Sequence, residues 1–314
     1  MDYVPGRRLA DCWDEMGGPA KARTAKDLAR VMAEMFALTA SHCGALLRDL
    51  SLNNSQRSLR YEPNTVDAMV VDAPDEAHTE VVDGEFLIGP INDITLLTLT
   101  KAVPASLCGP FATERRFLEA FGFRDACGGT KVQRMVDRWP IERMFELYDV
   151  IRPLYAPRVD SIAPFHFTHA DLSPANVIVD PESGAINGLI DWEVAGFRPA
   201  WLSATSGTWF DDDSCRFVVE DHQDGPDGYG EDTVADTVLR QLFIAELEAH
   251  DLTLLEHNRK GVELRALFYN ICSEYPTNAT VWIKKYEKYE WDVSRRGQFP
   301  FDVQRWVGDL ADLY

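Results

Sequence analysis

The chain has 314 residues, 46% apolar and 26% charged, which excludes wholesale disorder and leaves ample material for a core. With 31 basic against 51 acidic residues the net charge is −20, so the basic footprint of a nucleic-acid binder or of a protein docked on an anionic membrane is missing. No run approaches the roughly 18 apolar residues of a membrane span, and Met1–Pro5 lacks the basic and apolar regions of a signal peptide.

Taken in chain order, the first helix is predicted over 7–16, ended by Gly17-Gly18-Pro19. Thr24 has the character of an N-cap. Leu28, Val31, Met32, Met35, Phe36 and Leu38 then recur at helical spacing, which predicts a long amphipathic helix to about Leu47. Residues 50–112 break this pattern and are expected to form an insertion or cap, with a hairpin signalled by Asp83-Gly84 inside Val81–Phe86. Two helices are expected over 113–122 and 141–155.

The period then changes. Phe165-His166-Phe167, Val177-Ile178-Val179 and Ile186–Ile190 have the character of short strands, the last two joined by the turn Pro181-Glu182-Ser183-Gly184. An acidic, glycine-rich stretch containing Asp211-Asp212-Asp213 follows and is expected to be a solvated loop. Helices are predicted over 232–249, 259–273, 279–291 and 301–312. The six cysteines show no C-x-x-C and no zinc-knuckle spacing, which points to buried thiols in a reducing, cytoplasmic compartment.

One segment carries chemistry. His169-Ala170-Asp171-Leu172-Ser173-Pro174-Ala175-Asn176 is followed, fifteen residues beyond Asn176, by Asp191 in Ile190-Asp191-Trp192-Glu193. His-x-Asp-x-x-x-x-Asn, a hairpin, then an Asp after an apolar strand is a phosphoryl-transfer pattern. Asp171 is placed to accept the proton of an attacking hydroxyl. Asn176 and Asp191 offer an amide and a carboxylate oxygen, both hard donors suited to Mg²⁺. His169 is expected to hold the loop rather than act as a base. His166, Trp192 and Glu193 are candidates for the wall of a substrate cleft.

The segment Phe167–Trp201 resembles the aminoglycoside phosphotransferase and choline kinase-like family, and its fungal branch most. That family reads His-Gly-Asp where this chain has His169-Ala170-Asp171, and Ile-Asp-Trp-Glu where this chain is identical. Met1–Leu9 resembles the strand and turn that join the family's two lobes. The resemblance implies an α+β, mostly helical, protein-kinase-like C-terminal lobe with a small catalytic β hairpin. It implies ATP and Mg²⁺ as cofactors and a small-molecule substrate as partner. In domain terms, 1–314 is one such lobe: 1–6 a hinge remnant, 50–112 the insertion, 161–201 the catalytic loop and metal-binding hairpin, and 232–314 the C-terminal helices.

Because the match begins at the hinge, the nucleotide-gripping N-terminal lobe is expected to be absent. No G-x-G-x-x-G occurs; Gly225–Gly230 has the wrong order, and Gly128-Gly129-Thr130-Lys131 is better explained as a turn. A start codon placed downstream of the true one would produce the same chain. The face such a lobe covers is expected to be shielded by 50–112 or by a second subunit of a homodimer.

Three functions compete on these residues. The first is a reduced small-molecule phosphotransferase with Asp171 as base. The second is an ATP-independent isomerase, cyclase or dehydratase of a hydrophobic metabolite, in which Asp171, His169 and Asp191, joined by His166 or Glu193, do the acid–base chemistry and the two carboxylates are tuned apart as acid and base. The third is a pseudokinase-like binding protein. Asn176 and Asp191 also admit a purely structural role in holding the hairpin. His166-x-x-His169-x-Asp171 is a poor transition-metal motif, since strand positions three apart face opposite sides.

Overall fold

A computed structural model describes residues 4–48, 81–82, 86–91, 109–128, 138–155, 165–205, 234–272 and Ile283. The predicted helices over 279–291 and 301–312 lie outside them apart from Ile283, and the acidic stretch after Thr205 lies wholly outside.

The chain opens with strand β1 (Arg7–Arg8) and helix α1 (Leu9–Cys12), not with one helix over 7–16. The two arginines are extended because they pair antiparallel with Val179 and Ile178 of a later strand. Helix α2 (Gly18–Ala37) begins earlier than expected. Gly17 stands at its N-cap and Pro19 in its first turn, where a missing N–H costs nothing, so the glycine–proline cluster starts this helix as well as ending the previous segment. Thr24 is therefore no cap. It is buried mid-helix, and its hydroxyl donates to the Gly184 carbonyl at 2.8 Å, with the Ala20 carbonyl as a second acceptor at 3.1 Å.

Helix α2 also ends earlier, at Ala37, and residues 39–48 form strands β2 (Thr39–Ala40) and β3 (Gly44–Arg48). Leucines at 38, 46 and 47 continue a helical spacing, but the backbone groups of 44–48 go to partner strands instead. These are β5 (Phe86–Gly89), which also pairs with β4 (Val81–Val82), and β9 (Gly196–Pro199). A Cβ on Gly44 would meet the Gly89 carbonyl oxygen at 2.3 Å, so only glycine permits the two backbones to approach there. The hairpin expected around Asp83-Gly84 is present in its two strands.

Strand β6 (Phe165–Thr168) lies between β2 and β9, completing an all-antiparallel sheet in the order β2-β6-β9-β3-β5-β4. Strands β7 (Val177–Val179) and β8 (Ile186–Leu189) form the expected hairpin, which pairs with β1 in a second sheet. The fold therefore holds more sheet than one small hairpin. Helices α3 (Glu114–Gly128) and α4 (Arg138–Ile151) come after β5 in the chain, and short α5 (Ala200–Ser203) follows β9. After α6 (Val234–His250) comes α7 (Leu252–Lys260), which the periodicity did not predict, and then α8 (Val262–Cys272), the helix expected over 259–273. Asp251 caps α7 by accepting from the amides of Thr253 and Leu254 at 2.8 and 3.1 Å.

The main core joins α3, α4 and α8 to the larger sheet through Phe117, Phe121, Phe165, Phe197, Trp201 and Phe268. A second core packs Leu28, Met32 and Phe36 of α2 against Leu239, Phe243 and Leu247 of α6. Between α3 and the end of α4, Glu114 receives the Arg152 guanidinium at 2.5 Å and the Tyr148 hydroxyl at 3.0 Å. Removal from water, reinforced by Glu114, raises the Tyr148 phenol above its usual range, so it remains a donor. Strand β6 is paired along both edges, with β2 on one side and β9 on the other.

Candidate active site

The chain leaves β6 through His169-Ala170-Asp171. His169 is fully buried, and its Nε2 lies 2.8 Å from the carbonyl oxygen of Ile190. A carbonyl only accepts, so Nε2 carries the proton and the ring ties the loop to the residue before Asp191. The same ring packs at 4.6 Å on the indole of Trp192. That indole lies nearly parallel to Phe167 and donates Nε1–H to the Leu189 carbonyl at 2.9 Å.

Asn176 closes the loop from the other side. Its Nδ2 donates to the backbone oxygen of Asp171 at 2.8 Å and to Asp171 Oδ2 at 2.9 Å. Both neighbours accept, which fixes the amide orientation and turns Oδ1 away from Asp171. The Asn176 carbonyl accepts from the Ile190 amide at 3.0 Å. Asp171, Asn176 and Ile190 thereby form one hydrogen-bonded chain that ends beside Asp191.

Two residues of the site sit in left-handed backbone. Ala170 has φ 62° and Asp191 φ 66°, and among the described residues no other non-glycine has a positive φ. Each costs on the order of 1–2 kcal/mol and persists because its surroundings over-determine it. At position 170 this explains why the family pattern has glycine. At 191 the left-handed turn opens a short 3₁₀ segment, Trp192–Val194, without the aspartate side chain capping it. The Asp191 carboxylate is left exposed, as is that of Asp171.

The structure brings His169, Asp171, Asn176, Asp191 and Trp192 together through these contacts, with Glu193 exposed on the same turn. It sets His166 apart. That ring is buried, stacks on Phe36 of α2 at 3.8 Å, and has Nδ1 2.6 Å from the Phe36 carbonyl, so it lies in the interior and not on a cleft wall. No group of three His, Cys, Asp or Glu side chains converges among the described residues. The donor set of Asn176 Oδ1 and the Asp191 carboxylate is all hard oxygen and fits Mg²⁺ rather than a softer metal. The groups that reasoning from side-chain motifs missed are backbone atoms: the carbonyls of Ile190 and Asp171 hold the site, and no residue type marks them.

A family model described as the phosphotransferase enzyme family matches residues 1–231, about three quarters of the chain. The chain belongs to that family. Phosphotransferase membership implies a protein-kinase-like fold. The mixture of helices and antiparallel sheet described above is compatible with it. It also implies phosphotransferase-type chemistry, for which the family typically uses ATP and Mg²⁺. Neither the curated proteins nor the solved structures searched contain a match to this chain. No helix among the described residues is long and apolar enough to cross a membrane.

Proposed function

We propose that this phosphotransferase transfers a phosphoryl group from ATP to a hydroxyl of a small molecule, with Asp171 as the base. The observation that carries the reading is the Asn176 amide. By donating to Asp171 Oδ2 it orients the carboxylate and leaves Oδ1 to take the acceptor's proton. The same orientation presents Asn176 Oδ1, together with the exposed Asp191 carboxylate, as the pair that would hold Mg²⁺. Mg²⁺ there would offset phosphate charge as the group moves.

The step balances simply. The acceptor oxygen forms a bond to the γ-phosphorus, the bond from that phosphorus to the bridging oxygen breaks, ADP leaves, and the hydroxyl proton passes to Asp171 Oδ1. The part given to His169 is to keep the loops of Asp171 and Asp191 in register, through its buried Nε2–H on the Ile190 carbonyl.

The test is acceptor-dependent ADP release from Mg-ATP across a panel of hydroxylated small molecules. Asp171→Asn is expected to lower it by about 10²–10⁴-fold, the usual worth of a general base, with little effect on ATP binding. An acceptor whose phosphorylation survives Asp171→Asn undiminished would overturn the assignment of the base.

A further inference from the structure

Behind the catalytic strand lie two buried imidazoles that the proposed chemistry does not use. His166 on β6 and His257 on α7 are 5% and 2% exposed, and their ring centroids are 5.9 Å apart. Each is held through Nδ1. His166 donates to the Phe36 carbonyl at the end of α2, and His257 meets the Tyr155 hydroxyl beyond α4. Phe36 packs against both rings, at 3.8 Å from His166 and 5.6 Å from His257. The two Nε2 atoms are buried, and neither has a hydrogen-bond partner among the described residues. The two rings and Phe36 therefore join α2, β6, α7 and the end of α4 at a single point, three residues before His169.

Charge has no good place there. A second proton on either ring leaves an Nε2–H without an acceptor and puts a cation in an apolar pocket. Asp251 faces His166 and favours its cation. Arg152 and Lys260 face His257 and oppose it, as does His166 itself. Arg152 and Arg265 also act on Tyr155, with Glu114 against them. Helix α2 contributes the Phe36 ring and carbonyl.

We propose that the His166–His257 pair is a proton-operated latch: neutral, it clamps α2 and α7 to strand β6, and protonated, it releases them and loosens the loop that carries Asp171 and Asn176. The latch stands whether or not the site transfers phosphate. Burial holds both rings below the ordinary histidine range, His257 at about 4. Acid taken up on opening then favours the open form by up to tenfold per pH unit and per ring. For His257 alone the window from about 6.5 down to about 4 spans 2.5 units, or about 300-fold.

The experiment is native-state amide exchange of the full chain between pH 7 and pH 5, corrected for intrinsic rates. Protection of the α7 amides and of the Asn176 and Ile190 amides is expected to fall with pH and to drop below that of β3. Unchanged protection from pH 7 to pH 5 would overturn the latch. Protection equal to that of β3 at every pH would overturn it equally, since acid would then only unfold the whole molecule. His257→Phe fills the pocket without a titrating group and is expected to flatten the pH slope; a folded variant with the wild-type slope would contradict the proposal. If that variant does not fold, the ring signals of histidine-labelled wild-type protein decide. His257 titrating near 6.5 in the folded state overturns the latch, and titration well below supports it.

Discussion

Ala170 stands where the family pattern has glycine, and its φ of 62° shows what that costs. An alanine methyl disfavours left-handed backbone by about 1–2 kcal/mol, and glycine gives back roughly 1 kcal/mol of this through its greater freedom in the unfolded chain. Ala170→Gly is therefore expected to raise stability by up to about 1 kcal/mol in equilibrium denaturation, with Asp171 and Asn176 undisturbed. A loss of stability would mean that the loop is not held as described. Asp191 has the same backbone conformation for a different reason. Aspartate tolerates it better than most residues, and the turn directs a carboxylate outward with no capping bond to make. The side chains of this site were legible in the sequence because catalytic spacing is local: His169, Asp171 and Asn176 lie within eight residues. The strain at Ala170 was not, since a backbone dihedral is set by the contacts of the whole loop.

At the scale of elements, α2 and the β7–β8 turn show how a distant contact decides a boundary. Gly184 has φ 72°, and a Cβ there would come within 2.0 Å of the Ala20 carbonyl oxygen. The turn thus lies directly on the helix backbone, fixed by the Thr24 hydroxyl on the Gly184 carbonyl. Gly184→Ala combines a backbone clash with a left-handed alanine and is expected to cost about 2 kcal/mol or more, measured as a lower denaturant midpoint. A neutral result would show that the turn does not dock there. The turn itself could be foreseen from Pro181-Glu182-Ser183-Gly184, and the hairpin strands matched expectation closely. The strands at 39–48 and β9 could not be foreseen, because each depends on a partner far along the chain; the start of α2 is a local matter of Gly17 and Pro19, which serve as a helix start as well as a stop. Thr24 satisfies the local rule for an N-cap, yet its acceptor is 160 residues away. Arg7 and Arg8 follow a helical pattern but are recruited as strand by β7.

For the whole molecule, the buried histidines give stability a pH dependence of definite sign. A ring whose folded value lies below its unfolded one binds its proton more readily when the chain unfolds. Stability is then complete above about 6.5 and falls as pH drops from there toward about 4, the value for His257, with His166 acting in the same direction. The denaturant midpoint is expected to be lower at pH 5 than at pH 7, and replacement of His257 by phenylalanine is expected to narrow that difference. Carboxylates held low by arginine, such as Glu15 beside Arg7, lose their partners in the same direction but are exposed and contribute little.

The central claim is that Asn176 and Asp191 remain a working metal and nucleotide site. The direct measurement is calorimetric titration of the full chain with a non-hydrolysable ATP analogue, with and without Mg²⁺, repeated on Asp191→Ala. Saturable, Mg²⁺-dependent binding that disappears in the variant, with its fold intact, is the predicted result. No binding at millimolar nucleotide, or equal affinity in the variant, would contradict the account.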